Sequence, residues 1–173
     1  MQPGGGGEVV VTVPKDWTTV EVKSVIPHRE PFLFVDRIVQ CEPGVSISAS
    51  FYVDQRLPVF NGHFPGNPIF PGVYLIEAVA QATALAVMLS PEYADYQPFL
   101  HKVEGFKFPN KVCPRDCLMI MVDDIEIHTR DNLIKGRLIE NGLIIGKATG
   151  QIDKNERESV AIGTIHFCGI KGV

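Results

Sequence analysis

An α+β fold, with one long buried helix against an antiparallel sheet, is predicted by three features of this 173-residue sequence. One 18-residue stretch, Gly72 to Leu89, runs GVYLIEAVAQATALAVML, proline-free and rich in Ala and Leu. That stretch is apolar nearly all round, so it must be covered on several sides. Most of the remaining chain consists of short β-branched and aromatic runs separated by turn residues, the mark of strands. A sheet curled around the helix would cover it; the pattern alone leaves that curvature open.

The elements follow in chain order. Met1-Gln2-Pro3 and Gly4 to Gly7 lack the basic n-region of a secretory signal and the Arg/Ser-rich character of a transit peptide, so residues 1–19 are expected to be an extension with a disordered Gly-rich tail. Phe34–Cys41 and Val45–Val53 read as strands joined by the turn Glu42-Pro43-Gly44. Pro71 and Gly72 suit the start of the helix. At 18 residues the helix touches the lower limit for a membrane span. Glu77 and Gln81 near its middle, in a strand-rich chain, point instead to burial in a globular domain. Leu118–Thr129, Leu133–Glu140 and Leu143–Ile152 form an expected meander, with turns at Asp131-Asn132 and Asn141-Gly142. After the charged loop Asp153–Glu158, Ser159–Cys168 offers one further strand.

Composition narrows the function. The chain is 45% hydrophobic and 21% charged, ordinary for a globular domain with a real core, and its length fits one domain. A net charge of −4 argues against broad binding to nucleic acid or an anionic membrane. Cys41, Cys113, Cys117 and Cys168 form no CxxC pair, so reduced thiols in a cytoplasmic compartment are expected and no metal site is.

Glu77 is the only acidic or basic residue of the helix. A buried carboxyl without a partner favours its neutral form, which can donate a proton. Gln81 lies one turn on, where its amide could orient Glu77. A face turned to solvent or to another subunit would account for Glu77 equally well. The segment before the helix, Asn61-Gly62-His63-Phe64-Pro65-Gly66-Asn67-Pro68-Ile69-Phe70-Pro71-Gly72, carries three prolines and three glycines that stiffen an irregular backbone around His63. Functional side chains are often placed on such loops, although a lone histidine there is commonly just a satisfied loop residue. At the helix start, the free amides of Gly72 and Val73 could polarise a carbonyl oxygen. Base, acid and carbonyl activator are the parts needed to take a proton α to a thioester and expel a β-hydroxyl, with no metal or organic cofactor.

At these residues the sequence resembles the FabZ-type (3R)-hydroxyacyl-ACP dehydratases of type II fatty acid synthesis. Three blocks carry the resemblance: Ile26–Ile38 (IPHREPFLFVDRI), Gly62–Gln81 (GHFPGNPIFPGVYLIEAVAQ) and Val103–Val122 (VEGFKFPNKVCPRDCLMIMV). It implies a hotdog fold over residues 20–152, with 153–173 as a C-terminal extension. It implies homodimers, commonly grouped as hexameric trimers of dimers, with each active site at a dimer interface. It implies acyl carrier protein as partner and conversion of (3R)-hydroxyacyl-ACP to trans-2-enoyl-ACP. His63 would be the base, its tautomer fixed by the Ile69 carbonyl, and Glu77 the acid or the holder of the catalytic water. Gly72 would polarise the thioester, with Val73, Phe64 and Gln81 also against substrate. Glu77 stands where the dehydratase/isomerase subgroup has Asp, which implies dehydration without isomerisation.

The chain departs from the family at Pro114-Arg115-Asp116, where Pro-Gly-Asp is common, and at Phe106–Lys111, where the family is richer in arginine. Lys102, Lys107, Lys111 and Arg115 could still form a modest basic face for an acidic carrier. His28, in the first block, reads as structural, and His101, His128 and His166 as ordinary surface or strand residues. Two other activities compete: a hotdog thioesterase, and an acyl-ACP-binding subunit without turnover.

Overall fold

The computed structural model describes residue 14, residues 16–129, 143–155 and 158–171. Six strands form one sheet: β1 (Arg37–Glu42), β2 (Ser46–Tyr52), β3 (Tyr96–Lys107), β4 (Cys117–Thr129), β5 (Leu143–Lys154) and β6 (Glu158–Lys171). Their spatial order is β1-β2-β4-β5-β6-β3, and every neighbouring pair is antiparallel. A short helix α1 (Val22–Val25) precedes the sheet, and the long helix α2 (Gly72–Met88) lies between β2 and β3 in the chain.

The sheet wraps α2, which packs against β2, β3, β4, β5 and β6. This is the hotdog arrangement. Register shifts at Ile38/Gln40, Leu100/Lys102, Glu104/Lys107 and Asp123/Glu126 supply local bends, since a bulge increases twist and turns a strand. Period-two burial fixes which face points inward: in β2, Ile47, Ala49 and Phe51 are buried while their neighbours are not. The helix contributes Leu75, Ala78, Val79, Ala82 and Leu85, all buried. Its alanines let the strands approach closely.

The closest approach is at Gly150 of β5. A Cβ there would stand 2.3 Å from a methyl of Val79, itself fully buried. Gly150→Ala is therefore expected to lower the denaturation midpoint, by ~1–3 kcal/mol of overpacking. Adding Val79→Ala should recover part of that loss; a wild-type midpoint for the single variant would contradict this account of the contact.

Most of the expected elements are present. The helix starts at Gly72 and ends at Met88, with Leu89 as its C-cap. The strands at 34–41, 45–53, 118–129, 143–152 and 159–168 correspond to β1, β2, β4, β5 and β6. The expected strand Leu133–Glu140, the turns at 131–132 and 141–142, and the Gly-rich tail lie outside the described residues.

Two differences stand out. β3 was not foreseen, because Pro98, Lys102, Glu104 and Gly105 break any alternation and seven of its consecutive residues are exposed. The other is the place of the last expected strand. Rather than adding to an edge, β6 lies between β5 and β3 and pairs with both. Without it the β3 backbone would have no partner, so the sheet needs it.

Candidate active site

The His63 loop is built from backbone pairing. His63 N donates to Val59 O (2.9 Å), and Ile69 N donates back to His63 O (2.9 Å). Within that bracket, Phe64 and Asn67 exchange hydrogen bonds across a tight turn. Gly66 takes φ +77° there, a conformation that disfavours any Cβ. The imidazole is half-buried, and its Nδ1 lies 2.7 Å from the Ile69 carbonyl. A carbonyl oxygen only accepts, so Nδ1 carries the proton and Nε2 is left with a free lone pair. The Phe64 ring stacks on the imidazole at 4.0 Å between centroids, its far side exposed.

Glu77 sits one turn into α2, on the same face as Val73 and Gln81. Its carboxyl is 18% exposed. Gln81, almost wholly buried, holds it: Nε2 donates to Glu77 Oε1 (3.0 Å) and to Phe32 O (3.0 Å), while Oε1 accepts from Phe34 N (2.8 Å). The amide ties the helix to the 32–34 segment and aims the carboxyl in one stroke. Glu77 opens on a cavity of about 330 Å³, whose apolar lining includes Ala80, Ala84, Phe99, Leu100, Ile165 and Phe167. An acyl chain suits such a lining.

Gly72 and Val73 begin α2, Pro71 providing no side-chain cap. Among the described residues no group accepts from either amide. The Phe108 ring lies over Gly72, close enough that a Cβ there would meet it at 3.3 Å. Gly72 thus leaves room for an aromatic cover beside the free amides.

His63 and Glu77 are not brought together within one chain. No hydrogen bond or ion pair joins them among the described residues, and His63 is absent from the lining of the cavity on which Glu77 opens. The neighbour of Glu77 is instead His28, with Nε2 at 3.5 Å from Glu77 Oε1. Sequence reading missed this placement. The only signal was its presence in a block shared with the family, which does not separate a loop scaffold from a site residue.

The other expectations fare unevenly. Arg115 has φ +75°, a conformation that favours glycine, and its guanidinium is held by Gln55 Oε1 at 2.9 and 2.7 Å. Lys102 is paired with Glu104, so Lys107 and Lys111 are left as unpaired cations of the expected basic face, among the described residues. His166 also meets Glu104 (2.5 Å) across the β3–β6 pair, and together with Lys102 it holds that carboxyl below the usual range. No three His, Cys, Asp or Glu side chains among the described residues converge as metal ligands would. No described helix is long and apolar enough to cross a membrane.

The family model of the FabA-like domain matches residues 26–149. The 3-hydroxyacyl-[acyl-carrier-protein] dehydratase FabZ of Symbiobacterium thermophilum is 43% identical over 112 residues, covering 65% of this chain and 79% of that protein. The protein of the same name from Enterococcus faecalis is 36% identical over 131 residues, covering 76% and 93%. Among solved structures, the dehydratase heterocomplex ApeI:P from Xenorhabdus doucetiae superposes with a TM-score of 0.63 at 14% identity, covering 89% of this chain and 92% of that one. An uncharacterised protein from Pyrococcus horikoshii gives 0.53 at 16% identity, covering 92% and 95%. At such identities the two structures speak for the fold alone.

Proposed function

The chain belongs to the FabA-like domain family, and from that membership we infer that it dehydrates a 3-hydroxyacyl thioester carried on acyl carrier protein, in fatty acid biosynthesis. The observation that carries the chemistry is the 2.7 Å contact from His63 Nδ1 to the Ile69 carbonyl, which leaves Nε2 as a base. Nε2 takes a proton from C2 of the (3R)-hydroxyacyl group. The Gly72 amide, with no internal acceptor, stabilises the oxygen of the resulting enolate. As the C2–C3 double bond forms, the C3–O bond breaks and Glu77 delivers a proton to the leaving hydroxyl. Water and the trans-2-enoyl thioester depart. Proton exchange with solvent then resets both groups for the next turnover.

Because the two groups do not meet within one chain, the working site is assembled from two copies, His63 of one facing the Glu77 cavity of the other. The β3 strand supports this reading. It is an edge of the sheet, hydrogen-bonded on one side to β6, and exposes Phe99, Leu100 and Val103, each about 40% accessible. Unpaired apolar edges are templates for a second chain. Grouping of such dimers into hexamers, and a cytoplasmic setting for the four unpaired cysteines, accompany the proposal.

The reverse reaction tests it. Hydration of crotonyl-ACP or crotonyl-CoA should bleach the enoyl-thioester absorbance with wild-type protein and not with Glu77→Gln. Release of free thiol without a hydroxyacyl product would assign a thioesterase instead. Acyl binding without turnover at any chain length would assign a carrier-binding subunit.

A further inference from the structure

Beyond the pair that the mechanism uses, a histidine lines the Glu77 cavity. His28 lines it, is 26% exposed at its side chain, and directs Nε2 to Glu77 Oε1 at 3.5 Å. Its Nδ1 is buried and has no hydrogen-bond partner among the described residues. Buried ring nitrogens are ordinarily satisfied, and the exceptions call for a reason. A histidine serving only to fill space would not be expected to turn its one polar contact to the carboxyl that Gln81 already holds.

The loop that carries His28 is held independently. Arg29 Nη1 donates to Ile26 O (2.9 Å) and His28 O (2.7 Å), and Nη2 donates to Lys23 O (3.0 Å). Ile26, the C-cap of α1, is buried. Arg29 and Ile26 thus fix the backbone, and the imidazole is presented to Glu77 from a stiff support. With no partner for Nδ1, the proton is better placed on Nε2, on the side of Glu77 Oε1. Gln81 donates to the same oxygen at 3.0 Å. Gln81 hydrogen-bonds Oε1, His28 Nε2 lies against the same oxygen as a longer ionic contact, and among the described residues no hydrogen bond reaches Oε2.

We propose that His28 is a positioning residue for the dehydration: with Gln81 it pins Oε1 of Glu77, so that Oε2 alone exchanges the proton with the C3 hydroxyl. In that role Nε2–H stabilises the carboxylate left after proton delivery and fixes the carboxyl plane for the return step. His28 gives up no proton itself. The inference rests on the proposed role of Glu77.

Steady-state kinetics of crotonyl-ACP hydration test it. His28→Leu, which fills the space without a donor, should lower kcat roughly tenfold, less than the loss of a short hydrogen bond to a charged group would cost, with KM nearly unchanged. His28→Gln, whose side-chain amide reaches the Nε2 position, should recover most of the loss; His28→Asn, too short to reach, should not. A wild-type kcat for His28→Leu, or equal defects in the Gln and Asn variants, would overturn the positioning role while leaving the dehydratase reading intact. Should His28→Leu fail to fold, the Gln–Asn contrast decides alone. Absence of hydration by wild-type protein would instead sink the reading on which the role rests.

Discussion

Turnover is expected to fall ~10²–10⁴-fold when His63 is replaced with Ala, the range for loss of a general acid–base group. The fold should survive. His63 is half-buried on a loop, and its backbone exchange with Ile69 and Val59 does not depend on the imidazole. Unchanged thermal unfolding and elution volume, beside a collapsed kcat, would separate catalysis from stability. Activity near wild type would remove His63 from the mechanism.

The same variant tests the two-chain site. If His63 of one subunit serves Glu77 of its partner, a mixed dimer of His63→Ala and Glu77→Gln chains carries one site with both substitutions and one with neither. Random re-pairing of equal amounts makes half the dimers mixed, so roughly a quarter of the wild-type site density should reappear. No recovery after verified subunit exchange would mean that both groups act from a single chain.

Gln81→Leu is expected to damage stability and activity together. Gln81 is 1% exposed and engages Phe34 N, Phe32 O and Glu77 Oε1. Leucine preserves volume roughly but leaves the amide of Phe34 and the carbonyl of Phe32 without partners. Each buried, unsatisfied group costs about 1–3 kcal/mol. Since Phe32 is itself nearly half exposed, water will rescue part of its share, and a loss of roughly 2–4 kcal/mol is the expectation. Urea unfolding measures this. A companion Gln81→Glu variant should keep the Phe34 bond, lose the donor to Phe32 and set two carboxyls side by side. It should therefore lie between wild type and Leu in stability while losing activity. If Gln81→Leu matched wild type in both, the amide would be incidental to the site.

Much of this was legible in one dimension. The apolar run from Gly72 to Leu89 admits only a helix with cover on several sides, and that is what α2 has. The proline and glycine spacing around His63 gave a stiff loop, and the bond to Ile69 is local, six residues away. Gln81 beside Glu77 followed from helical periodicity, and the structure adds that the same amide reaches Phe32 and Phe34, nearly fifty residues back in the chain. β3 escaped because an edge strand exposed along most of its length needs no alternation of apolar residues. His28 escaped because its meaning lies in a contact with Glu77, 49 positions away, that no local pattern encodes.

The sequence by itself determined the local quantities: where the helix begins and ends, which stretch is a proline- and glycine-rich loop, and which side chains are candidates for proton transfer. These depend on neighbours within a turn or two, through periodicity, backbone restriction and intrinsic chemistry. The tertiary structure alone decided which distant groups share a space. It placed β6 inside the sheet, set His28 against Glu77, and gave His63 and Glu77 different hydrogen-bond partners within the chain. The reason is physical. Strand order and sheet curvature arise from burying the whole apolar surface of α2 at once, a collective condition that no single segment carries in its own residues.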